Sequence, residues 1–151
     1  MPCTATTLPL EMRRQAMIRK ARDIVMQSTE WLSVADLVAR FGQCPLPSDT
    51  LPDRWTASKQ IFAIDLGGVN HFPSYGLAAV THGDVRACKP KPILANLLAE
   101  FGDHYSGWQL AAWFASANAY LDGARPMDML DREPERVIKA AKFTAQGIQH
   151  G

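Results

Sequence analysis

Acidic and basic side chains alternate near the end of the chain, where two carboxyl groups could act as a general acid and a general base. Such catalysis requires environments that separate the pKa values of the two carboxyl groups. Here arginines stand between the acids, which favours a solvated surface of ion pairs or the rim of a partner-binding site. The residues are Asp122, Arg125, Asp128, Asp131, Arg132, Glu133, Glu135 and Arg136. We therefore expect no enzymatic activity from this cluster.

A second candidate for chemistry is Asp65-Leu66-Gly67-Gly68, which is similar to the phosphate loop of sugar kinases and related ATPases. Those folds need two large domains, and this chain has only 151 residues. A hairpin turn across the two glycines is the better interpretation. The sequence contains no Walker A loop, no G-x-S-x-G nucleophile elbow and no H-E-x-x-H metal motif.

The three cysteines are widely spaced and form no C-x-x-C pair. They indicate neither a disulfide framework nor a standard zinc module. Cys44, His71, His82 and Cys88 could in principle converge on a metal ion. Three of these four fall in predicted loops or in a hairpin, and we interpret them as ordinary free side chains. We predict no metal site and no cofactor.

Composition and charge are ordinary, with 47% hydrophobic residues, 21% charged residues and a net charge of +1. Nucleic-acid-binding proteins usually carry a clear basic excess or a basic stripe. The one local stripe, either a solvated helix face or a phosphate-binding one, contains Arg13, Arg14, Arg19, Lys20 and Arg22. The apolar run over 108–121 is shorter than the ~20 residues that span a bilayer, and charges interrupt the N-terminus where a signal peptide would be apolar. We expect a cytoplasmic protein without a membrane segment.

The periodicity of the first half predicts a helix-turn-helix-like unit followed by a hairpin. Apolar residues recur at helical spacing over 11–28 and over 33–41, where Ser33 is a good N-cap and Gly42 a good C-cap. A short helix over 52–59 follows a proline-rich turn that is longer than a strict DNA-reading motif allows. Two β-prone runs, 61–66 and 69–73, join across Gly-Gly as a hairpin in the position of a wing.

The second half is predicted to be helical. Residues 76–92 contain several glycines and prolines and are interpreted as a surface connection and a domain boundary. Helices are then expected over 92–101, 108–118, 126–130 and 134–143. The predicted fold is mainly α, with a helix-turn-helix-like unit and short β-hairpin over 1–88 and a small helical module over 89–151.

The segment over 113–142 carries a specific pattern, N-x-x-L-x-G-x-x-P-x-x-x-L, after a tryptophan-rich helix. It resembles the toxin-binding domain of Xre/MbcA/ParS-type antitoxins over about 45 residues. The module-defining residues are Asn118, Leu121, Gly123, Pro126 and Leu130. Met129 stands where the family often has leucine, and Ala119 where proline is common. Physically, Asn118 can close the preceding helix, Gly123 supplies a positive φ, and Pro126 presets the next helical turn.

The first half also resembles a variant arrangement of that family, in which a helix-turn-helix-like segment and a G-G…F-P hairpin precede the toxin-binding domain. The matching residues are Trp55, Ile61, Phe62, Gly67, Gly68, Phe72 and Pro73. In a standard winged helix, residues after the short helix would lie near bases or phosphates. These candidate DNA-binding residues are Arg54, Thr56, Ser58, Lys59 and Gln60; the alternative is that they are ordinary surface.

The resemblance implies a function. Members of the family commonly pair with a RES-domain toxin, an enzyme acting on NAD, which the C-terminal region of the antitoxin blocks. The implied partner-binding residues are Arg125, Asp128, Arg132, Arg136, Lys139 and Lys142, and the tail over 144–151 could enter a cleft. We expect an antitoxin-like regulator that is a homodimer and binds its toxin and operator DNA. The alternative is a transcriptional regulator or protein-interaction module with no toxin partner.

Overall fold

The computed structural model describes residues 9–41, 52–82 and 85–149, and within these ranges the protein is mainly helical with small antiparallel sheets. The first helix, α1, covers Leu10–Ser28, as the sequence predicts. Val25 is its one buried residue, so α1 exposes nearly its whole surface. Trp31 holds the end of the helix, because its indole Nε1 donates a hydrogen bond to the carbonyl oxygen of Val25 at 3.0 Å.

The second helix, α2 (Val34–Phe41), begins at the predicted N-cap. The backbone N–H of Asp36 donates to Ser33 Oγ at 3.1 Å, and the Ser33 N–H donates to Asp36 Oδ2 at 2.9 Å. This reciprocal capping satisfies two backbone donors that the first turn leaves free. The hydrogen bond from the Ser33 backbone also lowers the pKa of Asp36. The predicted C-cap, Gly42, lies outside the described residues.

The third helix, α3 (Pro52–Trp55), is shorter than the predicted helix over 52–59. It ends because the chain enters a turn over 56–60, in which Lys59 adopts a φ of 57°. The proline-rich residues 44–51 that precede α3 lie outside the described residues. A helix-turn-helix unit is therefore not confirmed by the part of the chain that the structure describes.

A three-stranded antiparallel sheet joins the short segment before α2 to the hairpin that follows α3. Its strands are β1 (Trp31–Leu32), β2 (Ile64–Leu66) and β3 (Val69–Pro73), in the order β1-β3-β2. Leu32 is opposite Phe72 in the register, so the short strand before α2 pairs with the end of the hairpin. The predicted hairpin is confirmed, and its second strand ends at a proline, as expected for a residue that cannot donate a backbone hydrogen bond.

The turn of this hairpin is the segment that is similar to a phosphate loop. Gly67 and Gly68 have φ values of 62° and 85°, the left-handed region that a tight two-residue turn requires. Asp65 Oδ1 accepts a hydrogen bond from the Gly68 N–H at 2.7 Å, and Leu66 is opposite Val69 in the register. The aspartate and the glycines thus build a hairpin turn.

A second hairpin occupies the region that the sequence analysis interpreted as a surface connection, so that interpretation is wrong. Strands β4 (Leu77–His82) and β5 (Val85–Pro90) pair along their full length, from Leu77 opposite Pro90 to His82 opposite Val85. The glycines and prolines stand at the ends of these strands and do not interrupt them. Residue 88, the predicted end of the first domain, lies within β5, and the division into two domains stays a prediction.

The fourth helix, α4 (Pro92–Phe101), has the predicted bounds. It ends at Gly102, whose φ of 65° suits a helix terminus. Its predicted apolar stripe is confirmed, because all four members are buried: Leu94, Leu97, Leu98 and Phe101.

The fifth helix, α5 (Gly107–Ala115), is also largely buried, as predicted, but it ends three residues earlier than expected. Its first turn is closed by a capping box between Ser106 and Gln109. Gly107 lies against the backbone before β2, where an added Cβ would stand 1.9 Å from the carbonyl oxygen of Ala63. A residue with a side chain therefore does not fit there without a backbone shift.

Two helices complete the chain: α6 (Pro126–Met129), as predicted, and α7 (Pro134–Gln149). The expected end of the last helix at residue 143 is wrong, and so is the reading of residues 144–149 as a free tail. A tertiary contact explains the extension. Thr144 Oγ1 accepts a hydrogen bond from Trp113 Nε1 at 3.1 Å and donates one to the Ala140 carbonyl at 2.9 Å. Residues 150–151 lie outside the described residues.

The buried side chains form one continuous hydrophobic cluster from Val25 to Ala141. Its members come from both sides of residue 88, so α4, α5 and α7 share a core with the three-stranded sheet. Phe62, next to β2, stacks on Phe114 of α5 with ring centroids 5.5 Å apart. This shared core fixes α7 relative to the rest of the protein and determines which of its faces is exposed.

Candidate partner-binding surface

The last helix presents one apolar face to the core and one polar face to solvent. Val137, Ala140 and Ala141 are completely buried, and α7 packs against α4 along this face. Three- and four-residue steps place these small side chains on one side of the helix. The opposite side carries charged residues and Phe143, an aromatic residue outside the buried stripe.

The turn before α6 brings a second aromatic side chain next to α7. Asn118 Oδ1 accepts a hydrogen bond from the Tyr120 N–H at 2.9 Å and thereby caps the short 3₁₀ turn Ala119–Leu121. The expectation that Asn118 closes the preceding helix is thus wrong, since that helix already ends at Ala115. Leu121 anchors the turn in the core, whereas Tyr120 points outward.

Tyr120 and Phe143 form an exposed stacked pair. Their ring centroids are 4.7 Å apart and their planes differ by 9°. Both rings stay accessible, with 55% of Tyr120 and 44% of Phe143 exposed. Aromatic residues are enriched at protein interfaces, so the exposed stacked pair is a candidate contact for a partner.

Cations surround this aromatic pair. Arg136 and Lys139 line a shallow cleft of about 240 Å³ together with Tyr120, Ala140 and Phe143. Aromatic rings beside arginine are the usual composition of interface residues that dominate binding energy. We call Tyr120, Phe143, Arg136 and Lys139 the aromatic-cationic patch.

The guanidinium of Arg136 is held in place by two acids. It donates to Asp122 Oδ2 at 2.9 Å and to Glu133 Oε2 at 2.9 Å. These hydrogen bonds raise the pKa of Arg136, Asp122 contributing most. A third hydrogen bond, to the carbonyl oxygen of Tyr120, joins α7 to the turn that carries the tyrosine. The arginine therefore orients the patch while Asp122 and Glu133 compensate its charge, and Lys139 is the cation of the patch that has no ion-pair partner among the described residues.

The other predicted partner-binding residues are exposed on the C-terminal helices and the turn between them. Arg125 and Asp128 pair with each other, with Arg125 Nε donating to Asp128 Oδ2 at 2.7 Å. The side-chain hydrogen bond that Arg125 donates to Asp128 raises the pKa of Arg125. Arg132, Lys139 and Lys142 are exposed and have no ion-pair partner among the described residues. The predicted surface of ion pairs is thus present, and three cations remain free for a partner.

The module-defining residues build the scaffold beneath the patch. Leu121 and Leu130 are buried, with 1% and 2% of their surface exposed. Gly123 has a φ of 88°, as predicted, and its N–H donates to the Asn118 carbonyl at 2.9 Å. Pro126 occupies the first turn of α6. These residues shape the turn that carries Tyr120. The hydrogen bond between Gly123 and Asn118 closes this turn.

Tyr120 and Phe143 were missed by the sequence analysis, which considered only charged residues for partner contact. One signal could have found Phe143: it lies on α7 but off the stripe formed by Val137, Ala140 and Ala141. An aromatic residue on the polar side of an amphipathic helix is unexpected in a purely structural role. No comparable signal marks Tyr120, because its exposure depends on the tertiary position of the turn.

The candidate DNA-binding residues lie on α3 and the turn that follows it, and not along a recognition helix. Ser58 Oγ donates to the Arg54 carbonyl at 2.7 Å, and Gln60 Nε2 donates to Ser58 Oγ at 2.8 Å. The ammonium of Lys59 pairs with Asp103, and that hydrogen bond lowers the pKa of Asp103. Thr56 is half-buried, while Arg54 is exposed. Arg54 therefore remains the one cation of this group without a neutralising acid among the described residues.

The chain was compared with known proteins, and no family model, curated protein or solved structure matches it. Within the described ranges, no group of three or more histidine, cysteine, aspartate and glutamate side chains is placed to hold a metal ion. No helix in those ranges is long and apolar enough to cross a membrane.

Proposed function

We propose that this protein is a cytoplasmic, antitoxin-like regulator that binds and neutralises a cognate toxin through its C-terminal helices. The observation that carries the proposal is the exposed stack of Tyr120 on Phe143 beside Arg136 and Lys139. The resemblance to Xre/MbcA/ParS-type antitoxins supplies the class of partner, a RES-type enzyme acting on NAD. Both lines of support come from the same stretch of chain, since Tyr120 stands at a variable position within the N-x-x-L part of the motif.

The energetics of the patch favour a protein partner. The apolar area of two stacked rings is already ordered, so covering it costs little side-chain entropy and gains the hydrophobic free energy of burial. Lys139 lies beside the rings, and together with the exposed Arg132 and Lys142 of the C-terminal module it would accelerate encounter with an acidic partner surface. We infer that burial of the rings provides most of the binding free energy, and that the lysines accelerate association by electrostatic attraction.

A second part of the proposal is autoregulation by DNA binding, with the protein acting as a homodimer on its operator. Its support is the exposed Arg54 on α3 and the β2–β3 hairpin that follows α3 in the chain. The ion pair of Lys59 with Asp103 argues against phosphate contact by Lys59 and so favours the alternative, an interaction module without DNA binding. A direct measurement of DNA binding distinguishes the DNA-binding regulator from the interaction module.

The toxin proposal is tested by co-expression with the product of the neighbouring gene, which the proposal expects to be a small RES-type enzyme. We expect the wild-type chain to co-purify with the enzyme and to restore growth. Phe143→Ala and Tyr120→Ala should lose both effects while remaining folded. Val38→Ala is the matched control, because Val38 is a 48% exposed apolar residue on α2, outside the patch. Failure of the wild-type chain to bind the enzyme or to relieve its toxicity would contradict the proposal.

The DNA proposal is tested by a gel-shift experiment on the protein's own promoter at low and high salt. Specific binding that weakens steeply with salt is expected from phosphate contacts. Arg54→Ala should weaken this binding, whereas Arg132→Ala, which removes an exposed arginine in the C-terminal module, should not. Absence of any shift at low salt would eliminate DNA binding and favour the interaction module.

A further inference from the structure

The first helix, α1, is fixed on the body of the protein by one face. Val25 is buried, and the guanidinium carbon of Arg22 lies 4.7 Å from the centre of the Trp108 ring. Ile18 and Met26 line a cleft between α1 and the turn of the β2–β3 hairpin. These contacts define which side of α1 faces the protein and leave the remaining sides in solvent.

An apolar line runs along the solvent-facing surface of α1. Leu10, Met17 and Ile24 are 77%, 72% and 53% exposed and stand seven residues apart. Seven residues of an α-helix return to the same side within about 20°, so the three side chains form a narrow line about 21 Å long. Ala21 fills the gap between Met17 and Ile24 on the same side. We call these four residues the α1 seam.

Basic residues border the α1 seam on both sides. At ~100° per residue, Arg14 lies on one border and Arg13 and Lys20 on the other, each within about 60° of the centre of the line. The acids of this helix, Glu11 and Asp23, lie about 120° from the line on the same count. All of these residues are exposed. The borders are therefore uniformly positive.

We propose that the α1 seam docks an amphipathic helix of a partner protein whose own apolar line is bordered by acidic residues. A narrow apolar line along one helix is wide enough to contact one other helix and too narrow for a broad apolar surface. Charges at the borders of such a pair select the partner. The positive borders of α1 select glutamate- or aspartate-bordered helices.

A second copy of this chain fits the α1 seam less well. In an antiparallel pair centred on Met17, Leu10 faces Ile24 of the other copy, but Arg14 then faces Lys20. In a parallel pair each basic residue lies beside its own counterpart. Like charges at these positions destabilise a helix pair. A membrane surface is also less suitable, because interfacial helices bury a wide apolar face that often contains aromatic residues.

The test uses the full chain and two synthetic helical peptides that share one leucine heptad pattern. The first carries glutamate at the border positions and the second carries lysine. Fluorescence anisotropy should show that the glutamate peptide binds and that high salt weakens its binding. The lysine peptide should bind weaker by about tenfold or more. Met17→Asp should weaken binding of the glutamate peptide by about tenfold or more.

Met12→Asp is the matched control, because Met12 is 53% exposed on the same helix but lies away from the α1 seam. It should bind the glutamate peptide as the wild-type chain does. Equal binding of both peptides, or binding of neither, would overturn the proposal. A dimer in sedimentation equilibrium that Met17→Asp dissociates would assign the α1 seam to a second copy. Binding to phosphatidylserine vesicles without peptide binding would assign it to a membrane surface, and either result overturns the proposal.

Discussion

The rings of Tyr120 and Phe143 stack 4.7 Å apart at the surface, although the two residues are far apart in the sequence. Their contact depends on two scaffolds: the capped turn that begins at Asn118 and the buried face of α7. Arg136 joins the scaffolds, since it donates to the carbonyl oxygen of Tyr120 from α7. The stacked pair therefore keeps its geometry only while the core beneath it is folded. Substitutions in that core test how strongly it is packed.

Leu130→Ala should destabilise the protein by about 2–5 kcal/mol, because the leucine is 98% buried in the shared core and its removal leaves a cavity. Urea unfolding monitored by circular dichroism measures the difference. Leu10→Ala is the matched control, because Leu10 is 77% exposed and its truncation should change stability by less than about 0.5 kcal/mol. A near-zero effect of Leu130→Ala would show that the packing of the C-terminal helices is wrongly described.

Gly107→Ala should lower stability strongly, because the new Cβ would stand 1.9 Å from the Ala63 carbonyl oxygen and force α5 away from the strand. Gly147→Ala should instead raise stability by about 0.5–1 kcal/mol, since Gly147 lies in α7 with nothing within 4 Å of the added Cβ. Thermal unfolding of the two variants distinguishes these opposite signs. Equal melting temperatures would contradict the close approach of α5 to the sheet.

The thiol of Cys88 should make stability depend on alkaline pH. Burial raises its pKa from 9.0 to about 11, against a smaller opposing effect of Arg40. The unfolded chain therefore loses this proton first, so the stability that the neutral thiol contributes is full below pH 9.0 and declines as the pH rises towards 11. Relative to Cys88→Ala, the protein should lose roughly 2 kcal/mol over that window. Parallel pH profiles for the two proteins would show that the thiol is solvated.

Local features of the fold were predictable because their causes are local. Ser33 and Asp36 form their capping box within one turn of α2, and Gly67 with Gly68 forms a tight turn from residue type alone. The apolar stripe of α4 was predictable because the residues that recur at helical spacing are the ones that are buried. Each of these elements is specified by residues at most a few positions apart.

The missed features depend on distant residues. The β4–β5 hairpin lies between glycines and prolines that also suit a loop, and its pairing becomes visible only when the strands are in register. The end of α7 is extended by the hydrogen bond from Trp113 to Thr144, thirty-one positions apart. The aromatic part of the patch was missed for the same reason, because no local pattern shows that Tyr120 meets Phe143.

Isothermal titration calorimetry with the product of the neighbouring gene, which we expect to be a RES-type enzyme, tests the antitoxin-like function most directly. We expect saturable binding that Phe143→Ala weakens by about thirtyfold or more, as expected for an aromatic residue that dominates an interface. Val38→Ala should bind like the wild-type chain, and both variants should unfold at the wild-type denaturant concentration within error. Undiminished binding by Phe143→Ala would show that the aromatic-cationic patch is not the partner-binding surface, and absence of binding by the wild-type chain would contradict the antitoxin-like function.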